Sequence, residues 1–262
     1  GLMLSLLKLD RILLQKEKLT ILSDKRIKHN KPVIFAATHI GGNDVVRVFE
    51  AVKEHAYLLL GDPGIIYVNE LGLFLNLNGY LAVDTRDKTD RNIVYKRSVE
   101  VLNKGANLII FPEGAYNVFE NLPVMNIYPG AVNMAKETGS EIIPLAIEQY
   151  DKNFIVNIGE NIKVTPDIPT KEANQYLRDI LATLKLEIWE SQEIAPRESY
   201  TDEYINNFRQ SIVDRDEYGE YVYILSDIYE TMYHDKSIIT AEEVFAPILN
   251  AQKKLIYSPQ KK

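Results

Sequence analysis

The segment His39-Ile40-Gly41-Gly42-Asn43-Asp44 places a histidine and an aspartate on either side of a glycine pair. An imidazole exchanges a proton near neutral pH, and a carboxylate bonded to one ring nitrogen fixes the tautomer and supports the imidazolium. The flexible glycine pair allows Asp44 to fold back onto His39. The pattern predicts a proton-transfer pair, and the alternative is that Asp44 only caps the helix that follows it.

Two other segments carry groups suited to binding a substrate. In Phe111-Pro112-Glu113-Gly114 the carboxylate of Glu113 follows an apolar run and has to be hydrated or paired. The segment from Gly79 to Arg86 continues to Arg91, and arginines just beyond a strand can clamp a phosphate with two hydrogen bonds. The alternatives are an ordinary Pro-Glu-Gly turn and a solvated charged loop.

Short apolar runs alternate with amphipathic segments through the first two-thirds of the chain. The runs are too short for helices and are bounded by Gly, Pro, Asn and Asp, so they predict strands. The predicted strands are Val33–Thr38, Ala56–Leu60, Tyr80–Val83, Asn107–Phe111, Ile142–Ile147 and Phe154–Ile158. The predicted helices are Asp44–Glu54, Asp90–Lys104, Ala131–Thr138 and Lys171–Ile194. This alternation predicts an α/β fold with a largely parallel or mixed sheet flanked by helices, whose sites form where strands end.

Both ends of the chain differ from this central part, which we place at residues 29–195. Residues 1–28 hold seven Lys/Arg and three Asp/Glu among many leucines. They predict a basic amphipathic helix that lies on an anionic membrane surface or packs on the domain. Residues 196–262 predict a helical extension, with helices at Asp202–Asp214 and Glu220–Tyr233. No run approaches the ~18 apolar residues that span a bilayer.

The composition argues against several classes of function. A net charge of −7 disfavours a general nucleic-acid binder. The absence of cysteine excludes disulfides, thiolate zinc sites and a cysteine nucleophile. His29, His55 and His234 lack metal-ligand spacing, and there is neither a dinucleotide fingerprint nor a phosphate-binding Gly-x4-Gly-Lys loop. We therefore expect no bound metal and no cofactor.

Taken in order, these segments resemble the signature blocks of the lysophospholipid/glycerolipid acyltransferase family, which acylates glycerol-3-phosphate and 1-acylglycerol-3-phosphate. His39 and Asp44 match its His-x4-Asp block, and Phe111 to Gly114 match its Phe-Pro-Glu-Gly block. Three further matches lie at Gly79–Arg86 (Gly-x-x-x-Val-Asp-Arg, approximately), Ile142–Ile147 (the proline-containing fourth block) and Pro129-Gly130-Ala131. The resemblance covers about residues 30–160.

The resemblance implies one-step acyl transfer from acyl-CoA or acyl carrier protein to an acceptor hydroxyl. It implies His39 as the general base, Asp44 as its orienting partner, and backbone N–H groups near Gly41, Gly42 or Gly114 as donors to the oxyanion. The residues expected to bind the acceptor are Arg86, Arg91, Glu113, Gly114 and Tyr116. The N-terminal segment or Leu71–Leu77 would hold the acyl chain, unless these are ordinary core. The expected place of action is the cytoplasmic face of a membrane, bound peripherally.

Four departures from the family pattern leave the acceptor open. They are Thr38 in place of Asn, Thr85 at the arginine position of the second block, Ala115-Tyr116-Asn117 in place of Thr-Arg-Ser, and Tyr128 in place of a basic residue. In the family those basic positions are associated with the acceptor's phosphate. A lysophospholipid-like acceptor is therefore one possibility. The others are an amino-acid lipid, a glycolipid or a peptide, and a catalytically silent relative that only binds lipid.

Overall fold

A seven-stranded sheet forms the centre of the described part of the protein. The computed structural model describes residues 2–61, 78–84, 87–193, 201–214 and 225–233. The strands are β1 Lys18–Asp24, β2 Val33–Ala37, β3 Ala56–Gly61, β4 Tyr80–Val83, β5 Asn107–Ile110, β6 Glu141–Tyr150 and β7 Asn153–Ile158. Their order across the sheet is β1-β7-β6-β2-β5-β3-β4. All six strands predicted from apolar runs are present.

The sheet is mixed, with a parallel majority. Strands β2 to β6 pair with one another in parallel, whereas β6 pairs with β7 in an antiparallel hairpin. The hairpin turns at Asp151 and Lys152, where Asp151 adopts a φ of 52°. A short loop with positive φ matches the twist of the strands that it joins. The predicted largely parallel or mixed sheet is confirmed.

Helices cover both faces of the sheet. They are α1 Leu2–Asp10, α2 Asp44–Val52, α3 Lys88–Asn103, α4 Gly130–Thr138, α5 Thr170–Glu190, α6 Asp202–Asp214 and α7 Leu225–Thr231, and a π-helical turn spans Arg11–Gln15. One buried cluster joins α2 to one face of the sheet, and a second joins α3, α4 and α5 to the other face. Within the described ranges, no helix is both long and apolar enough to cross a bilayer.

The N-terminal segment is not helical throughout, contrary to the sequence-based prediction. Residues 18–24 form β1, which pairs in parallel with β7 at the edge of the sheet. None of the residues of β1 is fully buried, as is usual at the edge of a sheet. Its three apolar residues are mixed with polar ones and do not form the buried run that identifies the central strands. The predicted boundary at residue 28 therefore separates β1 from the rest of the sheet to which it belongs. The Leu71–Leu77 stretch lies outside the described residues.

The described helices of the C-terminal extension pack on a loop of the central domain. Ile212 and Val213 of α6 and Ile228 of α7 share a buried cluster with residues of the 115–125 loop. An ion pair between Arg209 and Glu120, 3.6 Å apart, joins α6 to the same loop. That loop directly follows the Phe-Pro-Glu-Gly segment, so the extension lies beside the carboxyl edge of the sheet.

Candidate active site

His39 lies at the carboxyl edge of the sheet, just past β2. All five residues of β2 are buried, and Thr38 extends the strand by donating its backbone N–H to Leu145 O at 3.0 Å. The Thr38 hydroxyl accepts a 3.0 Å bond from the backbone N–H of Ile147. Thr38 therefore ties the end of β2 to β6, and this connection fixes the backbone from which the His39 side chain leaves the sheet.

The imidazole of His39 is held by the carboxylate of Asp44. The His39 Nδ1 and Asp44 Oδ2 atoms are 2.7 Å apart, and the Asp44 side chain is fully buried whereas that of His39 is 14% exposed. Because an ionised carboxylate only accepts hydrogen bonds, this contact places the ring proton on Nδ1 and leaves the lone pair on Nε2. The predicted pairing of the two side chains is what the structure shows.

Asp44 folds back onto the turn before it and does not cap its own helix. The N-cap of α2 is Asn43, and that residue makes no side-chain capping bond. The Oδ2 atom of Asp44 accepts from the backbone N–H groups of Ile40 at 2.7 Å and Gly41 at 3.0 Å. The chain can reverse this tightly because Gly41 and Gly42 both have positive φ, 83° and 63°. The Gly41 amide is thus directed to Asp44 and not to a substrate oxyanion, contrary to the role predicted for it.

Aromatic rings flank the imidazole. The ring centroid of Phe111 is 4.3 Å from that of His39 in a stacked arrangement, and Tyr116 meets His39 edge-on at 4.4 Å. Tyr116 is half-buried. Such walls restrict the ring's orientation and lower the local dielectric, which strengthens the polar contacts of the site. Tyr116 therefore lies beside the imidazole of His39, and its role in binding the acceptor stays a prediction.

Glu113 supports the backbone of the site and is fully buried. Its Oε1 atom accepts from the backbone N–H of His39 at 3.0 Å, and its Oε2 atom accepts from that of Met125 at 2.8 Å. Burial raises the pKa of Glu113, while these two hydrogen bonds and the charges of Lys185 and His39 lower it. Both oxygens face protein amides, so the structure does not offer this carboxylate to an acceptor, contrary to the sequence-based prediction.

Gly114 allows the backbone conformation of the loop and its close approach to Tyr128. Its φ is +71°, and a Cβ atom at this position would lie 2.5 Å from Cε2 of Tyr128. Its backbone N–H donates to Phe111 O at 3.0 Å, which assigns that amide to the turn and not to an acceptor or an oxyanion. The Tyr128 hydroxyl in turn donates to the carbonyl of Thr231 in α7 at 3.0 Å. A position that is basic in the family thus contacts the C-terminal extension here.

Of the two arginines predicted to bind the acceptor, Arg91 is described and Arg86 lies outside the described residues. Arg91 occupies the exposed first turn of α3. Burial raises the pKa of the Tyr128 hydroxyl, and the charge of Arg91 opposes that rise. The role of Arg91 in binding the acceptor stays a prediction.

Several residues in and around the site were not identified from the sequence. Glu17, Arg47 and Lys185 are charged yet almost entirely withdrawn from solvent. Ile212 of α6 reaches the turn between His39 and Asp44, where its Cγ2 atom is 3.6 Å from the position of a Cβ built on Gly41. One signal was available, because Arg47 stands among the apolar residues of α2 (Val45, Val48, Phe49 and Val52). A charge at such a position has to be paired.

The chain is similar in sequence to known acyltransferases. The sequence model of the Acyltransferase family matches residues 18–148. A 1-acyl-sn-glycerol-3-phosphate acyltransferase of Borreliella burgdorferi is 23% identical over 173 residues, which cover 64% of this chain and 68% of that protein. The chloroplastic 1-acyl-sn-glycerol-3-phosphate acyltransferase LPAT1 of Arabidopsis thaliana is 23% identical over 116 residues, 44% of this chain and 32% of that protein.

The fold also has a counterpart among solved structures. The 1-acyl-sn-glycerophosphate (LPA) acyltransferase PlsC of Thermotoga maritima superposes with a TM-score of 0.59 at 13% identity, over 74% of this chain and 80% of that one. At that identity the match shows a shared fold. The family match spans half of the chain and contains both His39 and Asp44. The chain therefore belongs to the acyltransferase family and is an acyltransferase related to the 1-acyl-sn-glycerol-3-phosphate acyltransferases.

Proposed function

We propose that this protein transfers a fatty acyl group from acyl-CoA or acyl carrier protein to a hydroxyl of a lysophospholipid-like acceptor, with His39 as the general base. The observation that carries the proposal is the 2.7 Å contact between His39 Nδ1 and the buried carboxylate of Asp44 at the open edge of the sheet. A base held in one tautomer by a buried carboxylate is the arrangement that activates a hydroxyl nucleophile.

The transfer proceeds in one addition and one elimination. His39 Nε2 takes the proton of the acceptor hydroxyl while that oxygen forms a bond to the thioester carbonyl carbon. The tetrahedral intermediate then collapses, its carbon–sulfur bond breaks, and the thiolate leaves with the proton that His39 returns. Asp44 stays ionised and supports the imidazolium between these two steps. No acyl-enzyme and no cofactor are needed.

A second acceptor class has specific support, namely one without a phosphate near the hydroxyl. Two positions that are basic in the family are Tyr116 and Tyr128 in this chain. Tyr116 packs edge-on against His39, and the Tyr128 hydroxyl is bonded to the carbonyl of Thr231. Neutral hydrogen bonds and ring surface suit a polar headgroup without phosphate better than a phosphate dianion. An amino-acid lipid, a glycolipid or a peptide would satisfy that requirement.

We further propose that the protein acts at the cytoplasmic surface of a membrane. Apolar side chains are more than 45% exposed on α1 and the π-helical turn: Leu6, Leu9, Ile12, Leu13 and Leu14. Exposed Lys8 lies among them, and exposed Lys16 and Lys18 follow, whereas Arg11 is withdrawn into an ion pair with Glu50. A large exposed apolar patch with interspersed cations fits an anionic lipid surface. Replacing Leu13 and Leu14 by Ser should lower binding to vesicles containing anionic lipid by at least ~10-fold, because burying each leucine contributes about 1.5–3 kcal/mol.

The test of the proposed function is transfer of a labelled acyl group to a panel of acceptors. Wild-type protein is incubated with radiolabelled acyl-CoA or acyl carrier protein, and products from lysophospholipid, monoacylglycerol, lyso-amino-acid lipid and glycolipid acceptors are separated and weighed by mass spectrometry. His39→Ala should reduce transfer by about 10²–10⁴-fold in a protein that still unfolds cooperatively on heating. Unreduced transfer in this variant refutes the role of His39. Tight binding of lipids without any transfer would favour the silent lipid-binding alternative.

A further inference from the structure

A buried chain of ion pairs joins the N-terminal segment to α2. Glu17 Oε2 accepts from Arg47 Nε at 2.9 Å, Arg47 also donates to Glu50, and Glu50 accepts from Arg11 Nε at 2.9 Å. The side chains of these four residues are between 1% and 11% exposed. The chain of charges thus lies inside the protein, against the helix that begins at Asp44.

Net stability does not account for such a network. Removing charged groups from water costs several kcal/mol per ion, and well-packed apolar residues of the same volume are often as stable or more so. Arg47 is also surrounded by apolar groups, with its guanidinium carbon 6.0 Å from the centre of the Phe154 ring. What the pairs do provide is a fixed geometry, because each hydrogen bond is directional.

The geometry that they fix is that of the catalytic turn. The second oxygen of Glu17, Oε1, accepts from Nδ2 of Asn43 at 2.9 Å, and Asn43 immediately precedes Asp44. The backbone carbonyl of Asn43 accepts from the N–H of Arg47 at 3.0 Å. Glu17 therefore accepts hydrogen bonds from two groups at the first turn of α2, the Asn43 amide and the Arg47 guanidinium.

We propose that Glu17 is a positioning residue for the His39–Asp44 pair, acting through Asn43 and Arg47. The inference rests on the proposed function, since it assumes that His39 is the base. A displacement of about 1 Å in a catalytic group can cost about 10²-fold in rate. By holding the start of α2, Glu17 makes the N-terminal segment part of the catalytic apparatus.

Glu17→Gln tests this at nearly constant side-chain shape. The matched control is Glu54→Gln, because Glu54 lies beyond the other end of α2 and pairs with Arg26 at 3.2 Å and His29 at 3.0 Å. We expect Glu17→Gln to lower kcat by about 10- to 100-fold with the KM values of donor and acceptor unchanged. Glu54→Gln should keep kcat within about 2-fold of wild type.

A second variant separates positioning from a general loss of structure. Asn43→Ala removes one of the two contacts of Glu17 and leaves the ion pairs in place, so it should lower kcat less than Glu17→Gln does. In the Asn43→Ala background, Glu17→Gln should lower kcat by a smaller factor than in wild type, because the two residues share one route to Asp44.

The outcomes are distinguishable. The inference is overturned if folded Glu17→Gln has the kcat of wild type. It is also overturned if Glu17→Gln lowers kcat by the same factor in wild type and in Asn43→Ala. In both cases the proposed function still stands on the His39→Ala result. A wild-type protein that transfers to no acceptor overturns both. If Glu17→Gln does not fold, the kcat of Asn43→Ala is the test. An unchanged kcat in that variant overturns the inference.

Discussion

Replacing Asp44 by Asn tests the arrangement on which the proposed mechanism depends. The Asp44 Oδ2 atom accepts three hydrogen bonds, from His39 Nδ1 and from the backbone N–H groups of Ile40 and Gly41. Asn has nearly the same shape, and its carbonyl oxygen in the place of Oδ2 can keep the two backbone bonds and the contact with Nδ1. Because Asn is neutral, the substitution removes the charge that faces the imidazole.

The expected effect is large and falls on kcat. A hydrogen bond to a charged group contributes about 1.5–3 kcal/mol, which alone corresponds to roughly 10- to 150-fold in rate. If the Asn side chain instead turns its amide nitrogen towards Nδ1, it gives up the two backbone bonds and favours the other ring tautomer, so the base is lost; a comparable substitution in a histidine–aspartate pair lowers kcat by about 10⁴-fold. We therefore expect Asp44→Asn to lower kcat between these limits, with little change in the donor's KM.

The assay is release of free thiol from acyl-CoA in the presence of acceptor, followed spectrophotometrically, together with product detection. Asp87→Asn is the matched control, because Asp87 caps α3 through a 2.7 Å bond from the N–H of Thr89 and Asn is an equally good N-cap residue. A folded Asp44→Asn protein whose kcat stays within about 3-fold of wild type would refute the reasoning, since the hydrogen bond alone predicts more than that.

Two other predictions concern stability. Gly114→Ala should destabilise the fold by more than Gly105→Ala in thermal or urea unfolding, because its Cβ would lie 2.5 Å from the Tyr128 ring whereas Gly105 has open space around it; both have positive φ, which alone costs about 1 kcal/mol. Equal losses at the two positions would contradict the close contact. Lys185→Met should destabilise the fold at pH 7 by less than the ~3–5 kcal/mol typical of a broken, fully buried pair. It removes the charged partner of Glu148, 2.9 Å away, whose side chain is 18% exposed and keeps hydrogen bonds from Trp189 and from the Gln149 backbone. Although burial raises the pKa of Glu148, Lys185 and the hydrogen bonds lower it below its usual value, so the pair's stabilisation is present above pH 4.5 and is lost as the pH falls through the folded-state pKa. A loss that grows towards low pH in urea titrations would contradict this.

Several features could be predicted from the sequence because their signals are local. The central strands are short apolar runs, and the rule that sites form at the carboxyl edge of parallel strands then places His39 and Glu113 at one edge. The pairing of His39 with Asp44 also follows from a short spacing across two glycines, whose positive φ lets the chain reverse. For these features, residues near in sequence make the decisive contacts.

The functions of the supporting residues were decided by tertiary contacts. Glu113 looks like a substrate ligand in sequence, and only the approach of the His39 and Met125 amides to its two oxygens shows that it supports the backbone. Strand β1 is a second example. Its place at the edge of the sheet leaves it partly exposed, so its sequence lacks a buried apolar run and does not reveal its pairing with β7.

Sequence alone thus determined the fold class and the pairing of His39 with Asp44, because hydrophobic period and a short turn are properties of neighbouring residues. The tertiary structure decided which charges are buried and what they hold. Glu17 is 26 residues from Asn43 and 30 residues from Arg47, and its role depends on how the sheet brings these segments together. No local pattern encodes such a contact, because the energy of burying a charge depends on partners that only the folded chain supplies.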